Sequence, residues 1–400
     1  MFSPLARLGL EHRVVMAPLT RVRGNERFAC GPTAVQYYSE RASRGGLIVT
    51  EGAPICPETQ YEYAAGIYTP EQEAGWKDVV AAVHAKRGLI SCQLWHLGRM
   101  AHGSWAENDF LKSLGRPLPC VSSSATTAPG GSRGVDGKSK PHLPARALSK
   151  EEITVGLVRD FTLAAEAAKR CGFDFVEIHA AHGYLFNQFF CDSTNLRTDE
   201  FGPQSIENRT RALGLVLNAV IGVLGDSNRV AVRVSPIYKD SFTYQGCQDS
   251  NPEKTYRGVV SFLDQFKLGY LMITEPRWNG GRGNFDVKTD QTFKIPTRGV
   301  WVKDLYKGVV IGSSSFTPET AERAMRDGVY DAIAFGRFFI SNPDLPKRLK
   351  EGLELNVYDT STFYIRDPIK GYVDYPVNEK KGSFPQIAPR NIGAQMLAKL

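Results

Sequence analysis

Phe173-Asp174-Phe175-Val176-Glu177-Ile178-His179-Ala180-Ala181-His182-Gly183-Tyr184 runs from an apolar segment straight into polar chemistry. Phe173 to Ile178 reads as a buried β-strand, and two histidines, a glycine and a tyrosine follow at once. Titratable side chains just past the end of an apolar strand are the pattern of an α/β active site. Two imidazoles can donate hydrogen bonds to a carbonyl or nitro oxygen, and a phenol can deliver a proton. The same His-x-x-His spacing also suits a metal pair, with Glu177 or Asp192 as further ligands, or two histidines at a helix start with no chemistry to do.

Apolar runs of strand length recur on both sides of this one. They fall at Arg13–Pro18, Leu47–Glu51, Leu89–Leu94, Arg229–Ser235, Tyr270–Thr274, Val309–Gly312 and Asp331–Phe335. Several are continuous rather than alternating, which suits strands covered on both faces. Helix-length amphipathic segments lie between them, at Thr33–Arg44, Pro70–Ala85, Ser149–Arg170, Ser205–Leu224, Pro252–Phe266, Pro318–Arg326 and Pro343–Glu351. Thr297–Lys307 has the weakest helical pattern. Thr69 precedes Pro70 as an N-cap, with Glu71 and Glu73 behind it, and Ser149-Lys150-Glu151-Glu152 is a capping box. Eight strands alternating with helices predict an α/β fold, a parallel (β/α)8 barrel forming a single domain over residues 1–400. The stretch Gly98–Ala147, rich in Gly, Pro and Ser, predicts a helix-free excursion after the third strand with a short hairpin capping the barrel. From Leu353 a C-terminal extension follows, too aromatic in Thr362-Phe363-Tyr364 and Gly371-Tyr372-Val373-Asp374-Tyr375-Pro376 for a disordered tail.

Composition narrows the function. Hydrophobic content of 42% and charged content of 23% are those of a globular protein. No apolar run is long enough to span a membrane, and no secretory signal opens the chain, so a cytoplasmic location is expected. The seven cysteines never take Cys-x-x-Cys spacing, which fits reduced thiols and no zinc site. The net charge of +7 is spread out, arguing against nucleic acid and suiting a small anionic ligand.

In a (β/α)8 barrel, catalytic groups gather at the carboxyl ends of the strands. Seven strands here end in polar or glycine-rich sequence: Pro18-Leu19-Thr20-Arg21, Glu51-Gly52-Ala53, Gln93-Leu94-Trp95-His96, then His179, His182 and Tyr184, then Arg233, Gly312-Ser313-Ser314-Ser315, and Gly336-Arg337. The last two are where such barrels grip phosphate, although glycines there are also ordinary loop punctuation. Arg233 sits between Val232 and Val234, which should face outward, so its guanidinium should face the barrel interior and need an anionic or electron-rich partner. A structural salt bridge is the alternative.

These motifs in this order resemble the old yellow enzyme family of flavin-dependent ene-reductases, over almost the whole chain. The resemblance rests on Met16-Ala17-Pro18-Leu19-Thr20-Arg21, Cys92-Gln93-Leu94-Trp95-His96-Leu97-Gly98-Arg99, and His179 to Leu185 with Asn187-Gln188-Phe189. It continues in Arg197-Thr198-Asp199-Glu200-Phe201-Gly202, Ser205-Ile206-Glu207-Asn208-Arg209, Phe335 to Leu345, and Thr362-Phe363-Tyr364. It implies FMN bound without covalent linkage at the barrel mouth, reduced by NADPH or NADH, with an enone or nitroalkene as substrate and a monomer or homodimer as the assembly. By position, Pro18, Leu19 and Thr20 would meet the flavin, Thr20 at O4. Gly52 and Gln93 would take the pyrimidine edge, Arg233 would face N1 and O2, and Gly312, Ser314, Gly336 and Arg337 would hold the phosphate. His179 and His182 would polarise the substrate oxygen, Tyr184, with a phenol pKa of about 10, would protonate the α-carbon, and Trp95 and Tyr364 would line the pocket. The chain departs from the family pattern in its serine-rich Gly312–Ser315 loop, in Phe242 as the aromatic nearest Asp240, in a short Tyr61-Glu62-Tyr63 loop, and in Gly202-Pro203-Gln204. The alternatives are a family member acting as an isomerase on an activated alkene, and a metal-dependent barrel hydrolase.

Overall fold

The computed structural model describes residues 1–237, 244–276 and 299–377. Eight parallel strands close into a barrel: β1 Val14–Met16, β2 Leu47–Pro54, β3 Leu89–Trp95, β4 Phe175–His179, β5 Val230–Val234, β6 Tyr270–Thr274, β7 Val309–Ser313 and β8 Ala332–Phe335. Each pairs with its sequence neighbours, and β8 closes on β1 through Val14 opposite Ile333. The helices that follow them in turn are α1 Pro32–Arg41, α2 Pro70–Ala85, α3 Val158–Cys171, α4 Ile206–Leu224, α5 Pro252–Asp264, α6 Val300–Leu305, α7 Pro318–Arg326 and α8 Leu345–Glu351. No helix among the described residues is long and apolar enough to cross a membrane.

The continuous apolar runs have the expected cause. Val176, Ile178, Val230, Val232, Leu271 and Ile273 pack outward against the helices, while Val15, Val49, Phe175, Ala231, Met272, Ile311 and Ala334 fill the interior. Leu8 and Leu10, before β1, belong to the interior cluster. The period of two then places Gln93, Glu177, His179, Arg233, Thr274 and Ser313 in continuation of the inward rows. The interior therefore turns from apolar to polar on approaching the carboxyl ends.

Local signals behave as read. Thr69 accepts a hydrogen bond from the Gln72 amide and caps α2. Ser149 and Glu152 make the reciprocal capping bonds, at 2.8 and 3.1 Å. The turns that follow, Glu152–Leu157, are π-helical before α3 begins.

The excursion after β3 carries the expected hairpin, Gly131–Arg133 against Ser139–Pro141. The expectation that it lacks helix is wrong: Asp109–Lys112 is helical, capped by Asn108, whose Oδ1 accepts from the Phe110 and Leu111 amides. The described part of the C-terminal extension is strapped to the barrel by arginines. Arg21 donates to the Phe363 and Gly371 carbonyls, and Arg23 to those of Thr362, Asp367 and Lys370. Tyr372 stacks on Tyr37 of α1 at 4.1 Å. Arg21, counted among the mouth residues by its sequence position, is thus a strap residue. The Asp240–Phe242 segment, the start of Thr297–Lys307 and residues 378–400 lie outside the described residues.

Candidate active site

The loop after β4 is forced into a tight turn. His182 and Gly183 both take left-handed backbone, with φ of +57° and +79°. A Cβ on Gly183 would lie 2.6 Å from the Tyr244 carbonyl oxygen, so only glycine fits there. The His182 amide donates to Ser235 Oγ at 2.8 Å and the Gly183 amide to Asn187 Oδ1 at 2.8 Å. Gln188 Nε2 donates to the Gly183 and Leu97 carbonyls. The Asn187-Gln188 pair of the sequence motif therefore pins this loop and ties it to the loop after β3.

The end of β4 and this turn bring three rings together beside Trp95 of β3. Tyr184 stands edge-on to His179 and to Trp95, each at 4.9 Å. His179 lies 5.2 Å from His182, and Trp95 runs nearly parallel to His179 at 6.2 Å. His179 Nδ1 accepts from the Ala181 amide, so in the neutral ring the proton sits on Nε2. Burial, reinforced by Arg233, holds both imidazoles well below the usual histidine range. The phenol pKa near 10 expected for Tyr184 needs correction: burial pushes it higher, which keeps the proton on more firmly.

Beneath the rings lies Arg233, 8% exposed. Its Nε donates to Thr274 Oγ1 at 3.0 Å, and Nη2 lies 3.5 Å from Ser313 Oγ. Among the described residues it forms no salt bridge, and Glu177 is the carboxylate that acts on it electrostatically. A buried cation whose hydrogen bonds, among the described residues, are to hydroxyls has donors to offer an electron-rich ligand. Glu177 is fully buried and accepts from Gln93 Nε2 at 2.6 Å. Burial raises its carboxyl, against the pull of Arg233 and the Gln93 bond.

The other expected site residues lie around this centre. Gly52 pairs with Gln93 beyond a register shift in β2, and a Cβ on it would sit 2.7 Å from the Trp95 indole. Leu19, next to Pro18 and Thr20, lies 3.2 Å from where a Gly336 Cβ would be, which joins the β1 and β8 ends. Arg337 lies over the Tyr358 ring at 5.7 Å. The Tyr364 carbonyl accepts from Arg133 of the hairpin, and Tyr364 acts electrostatically on Tyr184. A Cβ on Gly312 would meet the Tyr330 ring at 2.6 Å, so its open side faces outward and makes room for that ring. Ser313 is the inward residue. Ser314 and Ser315 follow with φ of +92° and +52°, and the buried Ser314 Oγ has no hydrogen-bond partner among the described residues. Sequence reasoning missed Thr274 on β6, and Tyr244, whose ring lies 5.1 Å from His182.

His96 at the end of β3 gives a test of burial in this region. Its Nδ1 accepts from the Gly98 amide, and burial pushes its pKa down to about 4. The folded pKa is below the unfolded value, so the His96 contribution is complete above pH 6.5 and is lost as pH falls from there toward 4. The stability difference between the parent and His96→Asn, from urea midpoints, should shrink by about 3 kcal/mol across that window. A pH-independent difference would show His96 to be solvated.

The donor set fits FMN: a buried guanidinium that makes no salt bridge among the described residues, and a buried Ser314 hydroxyl without a hydrogen-bond partner among them, lie toward the same end of the barrel. It offers no metal site: among the described residues no group of three His, Cys, Asp or Glu could hold an ion. The NADH:flavin oxidoreductase / NADH oxidase family pattern matches residues 1–356. The chain is 38% identical to 12-oxophytodienoate reductase 2 of Arabidopsis thaliana over 373 residues, 93% of each chain. It is 38% identical to a putative 12-oxophytodienoate reductase 11 of Oryza sativa, over 93% of this chain and 95% of the relative. Among solved structures, the old yellow enzyme homologue of Zymomonas mobilis superposes with a TM-score of 0.83 at 38% identity, covering 94% of this chain and 99% of that one. Morphinone reductase in complex with tetrahydroNAD gives 0.80 at 39% identity, covering 95% and 98%. With the closed barrel and the polar mouth, these matches make the chain a member of the old yellow enzyme family of FMN-dependent oxidoreductases.

Proposed function

We propose that the protein is an NAD(P)H-dependent ene-reductase that saturates the C=C bond of an α,β-unsaturated carbonyl or nitro compound. The observation that carries this reading is the convergence of the His179, His182 and Tyr184 rings at the barrel end that also holds the buried Arg233 guanidinium. FMN, when bound, carries the hydride between nicotinamide and alkene. Arg233, Gln93, Gly52 and Thr20, with Pro18 and Leu19, would hold its ring system, and Ser314, Gly336 and Arg337 its phosphate. His179, through Nε2–H, and His182 would bind the carbonyl or nitro oxygen. As the β-carbon is reduced, negative charge builds on that oxygen, and donors already aimed at it stabilise the charge without reorganising. Tyr184 then gives its proton to the α-carbon, while Trp95 and Tyr364 wall the alkene.

The purified protein should be yellow, with one FMN per chain released on denaturation. NADPH should bleach it under nitrogen, and 2-cyclohexenone should restore the colour. A colourless protein that takes up no added FMN sinks this reading.

His179→Ala and His182→Ala should each slow enone reduction by about 10²–10³ while bleaching by NADPH suffers less. Enone kinetics unchanged in both variants would mean that neither imidazole touches the substrate.

A further inference from the structure

Arg233, Thr274, Ser313 and His182 share one buried patch of hydrogen bonds. Arg233 Nε donates to Thr274 Oγ1 at 3.0 Å, and His182 Nε2 lies 3.0 Å from the same oxygen. Ser313 Oγ is 3.3 Å from it. Thr274 and Ser313 are each 1% exposed, so solvent does not compete for these bonds.

The protons can be assigned. Ser313 directs its hydroxyl proton to the Ile273 carbonyl at 3.1 Å, so toward Arg233 and Thr274 it is an acceptor. Thr274 receives an N–H from a guanidinium that never deprotonates, and this polarises its own O–H into a stronger donor. Two acceptors compete for that proton: His182 Nε2 at 3.0 Å and Ser313 Oγ at 3.3 Å. The imidazole nitrogen is the closer and the more basic. A neutral imidazole that accepts at Nε2 carries its proton on Nδ1.

We propose that Thr274 is a positioning residue that links the Arg233 guanidinium to the His182 imidazole and holds His182 as its Nδ1–H tautomer. Resting on the ene-reductase reading, this couples two tasks through one hydroxyl: fixing the cation that faces the flavin, and fixing which nitrogen of His182 is the donor. His179 is set in the opposite tautomer by the Ala181 amide, so the two histidines present different nitrogens as donors.

Thr274→Val keeps the side-chain shape and removes the hydroxyl; Thr274→Ser keeps the hydroxyl and removes the methyl. In the FMN-loaded protein, Thr274→Val should weaken binding of 4-hydroxybenzaldehyde, a phenol whose oxygen would stand in for the substrate oxygen, about tenfold, on the order of one hydrogen bond. It should also make the flavin midpoint potential more negative, because the guanidinium is less firmly held. Thr274→Ser should restore both. The proposal is overturned if Thr274→Val matches the parent in phenol affinity and potential, or if Thr274→Ser is as impaired as Thr274→Val, since volume would then be what matters. Should Thr274→Val not fold, the ring nitrogens of His182 in ¹⁵N-histidine-labelled parent decide the matter: protonation at Nδ1 is expected, and protonation at Nε2 overturns the assignment. A parent protein that binds no FMN refutes the ene-reductase reading instead, and the tautomer is still readable without flavin.

Discussion

Arg233→Ala is expected to strip the protein of most of its FMN. The guanidinium is buried and, among the described residues, is hydrogen-bonded to Thr274 and Ser313 and makes no ion pair. A charge-assisted hydrogen bond to a ligand contributes about 1.5–3 kcal/mol, so FMN affinity should fall roughly ten- to hundredfold. The loss should go further than one bond. Glu177 is raised by burial and opposed chiefly by Arg233, so without the cation its carboxyl rises further and the mouth becomes neutral or negative. Flavin content by absorbance and FMN affinity by fluorescence quenching measure the effect. Full FMN content with normal bleaching by NADPH would mean that Arg233 is a structural residue and that the flavin sits elsewhere.

Arg233 was legible because a charged residue inside an apolar strand has few explanations, and the strand period fixes its direction. The same period places Glu177, Gln93 and His179, so most of the centre could be read before any coordinates. Thr274 escaped for the converse reason. Threonine is an ordinary strand former, and nothing in Tyr270–Thr274 marks its hydroxyl until β5 and β7 are placed beside it. Gly312 also makes room for Tyr330, a packing role that looks the same in sequence as opening room for phosphate. Arg21 misled because its partners are carbonyls more than 300 positions away, which no local pattern records. The Asp109–Lys112 helix is too short to show a period, and only its Asn108 cap could have signalled it. The barrel was legible because eight buried strands separated by capped helices leave few other solutions.

Tyr184→Phe should split the reaction in two. The substitution keeps the ring that packs edge-on to Trp95 and His179, so the pocket should survive. Among the described residues the hydroxyls bonded to the guanidinium are those of Thr274 and Ser313, not the phenol. NADPH should therefore bleach the protein at close to the parent rate. Return of the colour with 2-cyclohexenone should slow by about 10²–10⁴, the usual contribution of a positioned proton donor. Quinones and oxygen need no proton at carbon, so they should restore the colour almost as fast as in the parent. Burial sharpens the expectation: a phenol held above its ordinary pKa stays protonated throughout the neutral range, so its donation should not fade between pH 6 and 9. Enone turnover equal to the parent would mean that water or another group supplies the proton. Equal loss with all three acceptors would mean that Tyr184 chiefly holds the His182–Leu185 turn together, and the proton donor would have to be sought on another loop of the mouth.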